Sequence, residues 1–245
     1  MLRNVLTCRV LGPTEVDAGA RRVALGGPVP RRVITALIAA ENRPMTEKAL
    51  GDAIWGHDLP ARATVSLQSH VSRLRTALGP FRDALERVDD GYRLRAATDA
   101  TTFAAHVDRG RLLIAAHPYE AARAFTAALR LWRGTPYTDL PATASVAPAR
   151  ARLEELRTVA VEETLAARMA LCDSSAAIPD LETSVRAQPL RPRRRELLAL
   201  ALYRTGRRVD ALTTLSWAAE LTPALQTLQS RILADDPALH GPRRG

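Results

Sequence analysis

The hydrophobic positions change rhythm along the chain. Leu6 to Leu11 reads as a short strand that stops at Gly12-Pro13; a second apolar piece lies around Val16 and a third at Val23 to Leu25, before Gly26-Gly27-Pro28. The period then becomes helical. Val33, Ile34, Leu37 and Ile38 predict a helix with Pro30 in its first turn, ending near Asn42-Arg43-Pro44. Thr46 is placed to cap a second helix carrying Ala49, Leu50, Ala53 and Ile54 up to Trp55-Gly56. A third helix is predicted over Ala63 to Leu78, stopped by Gly79-Pro80, with Leu67, Val71, Leu74 and Leu78 at i, i+4, i+7 and i+11. Arg87-Val88, Asp89-Asp90-Gly91 and Tyr92-Arg93-Leu94 predict a tight hairpin whose turn uses glycine for a positive φ.

Past Asp99 the pattern is alanine-rich and helical. Ala121, Phe125 and Ala128 stand at i, i+4 and i+7, and Ala211, Leu215 and Ala218 repeat that spacing, with Gly206 before and Pro223 after. Such small-large-small positions suit the second helix of a tetratricopeptide-like hairpin, where small residues let helices approach; a generic helical bundle is the alternative. Further helices are expected over Ala151 to Leu171, Ile178 to Ala187, Arg193 to Thr205 and Ala224 to Ala234. Each hairpin leaves an apolar face for a neighbour to cover, so the helices should stack. The expected fold is mainly α with a small N-terminal β component: a winged helix-turn-helix domain over 1–97, then an all-α tetratricopeptide-like domain over 98–245.

Composition sharpens the functional reading of the third helix. The chain of 245 residues carries 35 Lys+Arg against 26 Asp+Glu, and Lys48 is its only lysine. An excess of arginine suits bidentate contacts to phosphate or guanine, although codon bias alone accounts for the arginine content. Between Ala61 and Arg82 there are four arginines and no acid. The side of the helix away from its apolar stripe, with its flanks, presents Thr64, Ser66, Gln68, Ser69, His70, Ser72, Arg73, Arg75 and Thr76. A helix with one core face and one cationic, donor-rich face fits the major groove, where arginine and glutamine read base edges and hydroxyls hold phosphates. The hairpin would lie beside the duplex with Arg93 or Arg87 near the backbone.

The stretch Leu67-Gln68-Ser69-His70-Val71-Ser72-Arg73-Leu74-Arg75-Thr76-Ala77-Leu78-Gly79, followed by Gly91-Tyr92-Arg93-Leu94, resembles the effector domain of OmpR-type response regulators. With Arg9-Val10-Leu11-Gly12-Pro13 and Ala53-Ile54-Trp55-Gly56 in front, the chain is similar to the antibiotic regulatory proteins of actinomycetes. Ala128-Leu129-Arg130-Leu131-Trp132-Arg133-Gly134, Arg152-Leu153-Glu154-Glu155-Leu156-Arg157, Gln188-Pro189-Leu190-Arg191 and Ala201-Leu202-Tyr203-Arg204-Thr205-Gly206-Arg207 match the activation domain of that family in order. The resemblance implies a transcriptional activator of a secondary-metabolite gene cluster that binds direct repeats in promoter DNA, as a dimer on the DNA, and contacts RNA polymerase. It implies Gln68 and Arg73 as base readers, His70, Arg75, Thr64 and Ser66 as phosphate contacts, and Arg93 in the wing. Two departures stand out. Thr222-Pro223 follows Ala219-Glu220-Leu221 almost directly where the family has an acidic segment, so the end reads as shortened, and Pro192 stands where glutamate is usual. A small, stand-alone member is expected.

Other features read as structural. Cys8 and Cys172 have no metal or redox spacing and read as buried apolar residues of a cytoplasmic protein. The five histidines, at 57, 70, 106, 117 and 240, form no ligand pattern with cysteine or carboxylate, and no phosphate-cradling glycine loop or nucleophile elbow occurs. Neither cofactor, metal, membrane span nor enzymatic activity is expected. Glu154-Glu155 and Glu162-Glu163 read as surface pairs, and Arg191-Pro192-Arg193-Arg194-Arg195 as a solvated loop and helix start. The competing reading is a helical-repeat adaptor whose basic N-terminal domain docks an acidic protein.

Overall fold

A computed structural model describes residues 5–141, 146–171, 174–216 and 222–240. The protein is mostly helical, with its strands in the N-terminal part. It divides into two compact units, residues 1–106 with 127–157, and 107–126 with 158–245.

In the first unit, β1 (Leu6–Arg9) pairs antiparallel with β2 (Glu15–Ala18), which pairs with β3 (Arg21–Arg22). Alternation sets the faces: Leu6, Cys8, Val16 and Ala18 are buried, while Arg9, Glu15, Asp17 and Arg22 form an ion-pair network on the other side. The expected third strand over Val23 to Leu25 is not a strand. Only the Val23 amide continues the ladder, donating to the Val16 carbonyl at 2.8 Å. A two-residue strand, β7 (Ala97–Thr98), adds parallel to β1.

Three helices follow β3: α1 (Pro28–Ala39), α2 (Glu47–Trp55) and α3 (Ala63–Leu78), packed against one another. Pro28 and Pro30 occupy the first turn of α1. The Thr46 hydroxyl accepts from the Ala49 amide at 3.1 Å and caps α2. Gly79 closes α3 at φ +59°, a conformation that favours glycine. Ile34, Leu37, Leu50, Ile54, Leu67, Leu74 and Leu78 form the buried seam of this cluster. Inside α1, the Thr35 hydroxyl donates to the Arg31 carbonyl and shares a 2.6 Å bond with Thr14, so a buried polar pair is satisfied.

The hairpin is β5 (Leu85–Val88) and β6 (Gly91–Leu94), to which β4 (Met45–Thr46) adds antiparallel on the far side of β6. Its turn corrects one expectation. The positive φ belongs to Asp89, at +48°, and Gly91 lies within the strand. Glycine is needed at 91 because a Cβ there would sit 1.9 Å from the Met45 carbonyl oxygen. The glycine thus admits the backbone of β4.

Val10 and Leu11, just beyond β1, are anchored from later sequence. The Asp99 carboxylate accepts from both amides, at 2.7 and 3.1 Å, and burial raises its pKa above the ordinary carboxylate value despite those bonds and the nearby Arg133. The Arg133 and Tyr137 amides donate to the Leu11 and Val10 carbonyls. Cys8 is fully buried and its thiol is pushed up to about 12, chiefly by burial, as expected for an inert core residue. Cys172 lies outside the described residues.

The remaining helices are α4 (Asp99–Leu113), α5 (Pro118–Leu129), α6 (Ala147–Leu171), α7 (Ser174–Ala187), α8 (Pro192–Arg204), α9 (Arg208–Ser216) and α10 (Pro223–Leu233). In the second unit α8 packs against α7, α9 and α10, and buries Leu197, Leu198, Ala199, Ala201, Leu202 and Tyr203 around most of its circumference. Helix α7 begins four residues earlier than expected and keeps Pro179 inside. Ala177, Ile178 and Leu181 are buried, and that packing outweighs the amide a proline cannot donate. Ala121, Phe125 and Ala128 of α5 are all fully buried, as are Ala211 and Leu215 of α9; Ala218 and Ala219-Glu220-Leu221 lie outside the described residues. A Cβ on Gly110 would come within 2.5 Å of the Phe125 ring, so α4 and α5 meet where one residue has no side chain.

Glu154 and Glu155 are exposed, but Glu162 and the basic run depart from their surface reading. Glu162 is 3% exposed and Arg194 6%. The Glu162 carboxylate accepts from Arg191 at 3.0 and 3.2 Å and from Arg194 at 3.3 Å, while Arg194 also donates to the Ser184 carbonyl at 2.8 Å. Arg193, the half-exposed neighbour, pairs with Glu163 and Glu196. The run is therefore a clamp between α6 and α8. A charged sequence gives no warning of burial when each charge has its counter-ion on another helix.

Candidate nucleic-acid interface

Helix α3 separates its two faces cleanly. Leu67, Val71, Leu74 and Leu78 are buried; Thr64, Val65, Gln68, Ser69, Ser72, Arg73 and Thr76 are exposed on the opposite side. Ser66 and His70 are half-buried at one flank and Arg75 at the other. Six of the nine helix positions singled out from sequence therefore share one exposed face. That face carries no carboxylate, and α3 starts at Arg62 without a side-chain cap or an acid in its first turn.

The polar groups are already ordered. The Arg73 guanidinium folds back along the helix, donating to the Ser69 hydroxyl at 3.1 Å and its carbonyl at 3.4 Å. The Thr76 hydroxyl donates to the Ser72 carbonyl. Gln68 donates from its side-chain nitrogen to Glu47 at 3.2 Å. Glu47, in the first turn of α2, also accepts from Arg87 at 3.1 Å and from the Tyr92 hydroxyl at 3.4 Å. Sequence reasoning passed over Glu47: a first-turn acid looks like an ordinary helix-dipole partner. Its register beside Gln68, set by the packing of α2 on α3, carries no sequence signal.

Two arginines tie α3 and the hairpin into one surface. Arg75 donates to the Leu85 carbonyl at 2.9 Å and lies 6.0 Å from the Tyr92 ring centre. Arg87 lies 5.5 Å from the same ring and donates to its hydroxyl at 3.1 Å. Arg93 points instead to Glu86, at 2.5 Å, and Glu86 also accepts from Arg95; the Arg93 hydrogen bond is the main cause holding the Glu86 carboxyl below its ordinary value. Between α3 and the hairpin lies an open groove of about 320 Å³, whose lining includes Gln68, Ser72, Arg75, Arg82, Arg87 and Tyr92. Burial first, and then the Arg73 charge, lower the pKa of His70, and its Nδ1 is buried without a partner among the described residues. Among the described residues no group of three His, Cys, Asp or Glu side chains is arranged to hold a metal, and no helix is long and apolar enough to cross a membrane.

Helix α3 and the hairpin thus present one cationic, donor-rich surface in a mostly helical chain. Residues 98–233 match the family model described as the bacterial transcriptional activator domain. The chain is 34% identical over 254 residues to the regulatory protein AfsR of Streptomyces griseus, covering 98% of the chain and 26% of AfsR. It is 31% identical over 251 residues to the transcriptional regulator RedD of Streptomyces coelicolor, covering 95% of the chain and 72% of RedD. A structure of Mycobacterium tuberculosis EmbR in complex with a low-affinity phosphopeptide superposes with a TM-score of 0.85 at 31% identity, covering 95% of this chain and 66% of that one. The chain belongs to the antibiotic regulatory protein family of transcriptional activators. It spans about a quarter of the length of the AfsR relatives it matches.

Proposed function

We propose that the chain is a sequence-specific DNA-binding activator that inserts α3 into the major groove of promoter DNA. The observation that carries this reading is the exposed face of α3, which gathers Thr64, Gln68, Ser69, Ser72, Arg73 and Thr76 with no carboxylate among them. Arg73 and Gln68 have the donors for guanine and adenine edges. Each is held by a bond inside the protein, Arg73 to Ser69 and Gln68 to Glu47, that it exchanges for a base on binding. Thr64 and Ser66 suit a phosphate, since they flank the start of a helix whose N-cap residue, Arg62, supplies no side-chain cap to the first-turn amides. Ser69, His70, Ser72, Arg75 and Thr76 flank the readers as backbone contacts. Arg82 and Arg87 line the groove beside α3, which fits the adjoining phosphates, and Arg93 is carried by the hairpin as a further backbone contact.

In this reading residues 1–97 form an OmpR-type winged helix, and residues 98–245 a tetratricopeptide-like activation domain that meets RNA polymerase. Two copies engage direct repeats on the DNA of the cytoplasm, upstream of an antibiotic gene cluster. Fluorescence-anisotropy titrations of upstream duplex and a scrambled duplex, each at 50 and 200 mM salt, test it. Affinity should fall several-hundred-fold across that range for about five phosphate contacts, with the upstream duplex preferred at both concentrations. Salt-insensitive binding without preference would favour the adaptor that docks an acidic protein.

A further inference from the structure

Val65 lies off the buried stripe of α3. It is 62% exposed, the only large apolar side chain among the exposed positions of α3, whose core stripe runs through Leu67, Val71, Leu74 and Leu78 instead. A β-branched residue on the wet side of a helix also costs helix propensity. Its neighbours on the surface are Gln68 at i+3 and Ser69 at i+4, with Arg73 one turn further along the same row.

We propose that Val65 is a specificity-determining residue that reads the C5-methyl group of a thymine. This rests on the proposed insertion of α3 in the major groove. The methyl group is the one apolar mark that groove displays, and an isopropyl group covers it without competing for hydrogen bonds. A protein partner fits poorly, because one apolar side chain amid donors and arginines is far smaller than a protein-docking patch. A polyanion suits the surrounding charge, four arginines and no acid between Ala61 and Arg82. Val65 and Arg73 are eight residues apart, about 12 Å along the helix axis. With steps of about 3.4 Å per base pair, the thymine lies within about four base pairs of the base that Arg73 meets.

The test is a uracil scan. Each thymine of the preferred upstream duplex is replaced in turn by deoxyuridine, which lacks only the methyl group, and binding is measured for the parent protein and Val65→Ala. The side chain is exposed, so the variant should keep its far-ultraviolet circular dichroism. One thymine should be found whose demethylation weakens the parent protein about fourfold, the value of one buried methyl group. The same change should leave Val65→Ala unaffected. A kept sequence preference with no methyl-sensitive thymine, or equal sensitivity in the variant, overturns the proposal while leaving α3 as the DNA-binding helix. Absence of any preference in the parent protein overturns both.

Discussion

Replacing Glu162 with alanine is expected to destabilise the second unit by about 3–5 kcal/mol, because the substitution strands a buried cation. Glu162 is 3% exposed and, among the described residues, is the only carboxylate paired with Arg194, itself 6% exposed. Without it Arg194 keeps, among the described residues, only the Ser184 carbonyl, at 2.8 Å, as a hydrogen-bond partner. Arg191 suffers less, since it is part-exposed and water can solvate it. Urea unfolding followed by circular dichroism reads the loss directly. The double variant Glu162→Leu with Arg194→Leu should recover most of it, because an apolar pair removes both desolvation costs together. A single-variant loss below about 1 kcal/mol would mean that the charges are solvated, as the sequence alone suggested.

Gly91→Ala should cost about 3 kcal/mol and detach the hairpin edge. The new Cβ would lie 1.9 Å from the Met45 carbonyl oxygen, 2.6 Å from its carbon and 2.8 Å from the Thr46 Cα, all backbone atoms that cannot rotate aside. The strand pairing Met45↔Tyr92 and Thr46↔Gly91 would open, loosening the Thr46 cap of α2 and the Glu47 link to Gln68 and Arg87. Thermal unfolding gives the stability, and faster amide exchange at Glu47, which donates to the Asp90 carbonyl, locates the damage. Stability within 0.5 kcal/mol of the parent, a margin typical of harmless surface substitutions, would show that β4 and β6 tolerate separation.

The two variants mark where the sequence was readable and where it was silent. The bounds of α3 are visible in the i, i+4, i+7, i+11 leucine and valine stripe and in the Gly79 stop, and α2 in the Thr46 cap, because each signal is local. The two-residue strands β4 and β7 have no period to show; they exist because partners distant in sequence arrive beside them. Gly91 is a turn residue by sequence and a close-approach residue in three dimensions. Glu162 and Arg191, 29 residues apart, look like two solvated charges until α6 and α8 bring them together. In the candidate interface the exposed face of α3 was legible from periodicity, whereas the hub of Glu47, Tyr92 and Arg87 was not, since it depends on how helices and hairpin dock. Val65 was hidden for a different reason: an apolar residue beside an apolar stripe reads as core until its exposure is known.

Base reading by α3 is tested by Arg73→Ala. Arg73 is exposed and, among the described residues, is hydrogen-bonded only within its own helix, to Ser69, so the variant should fold as the parent does. Anisotropy titrations of both proteins against upstream and scrambled duplexes at one fixed salt concentration would be compared. If Arg73 meets a base, Arg73→Ala loses about 10- to 100-fold on the upstream duplex, and far less on the scrambled one, so the sequence preference collapses. Full preference retained by Arg73→Ala would contradict it.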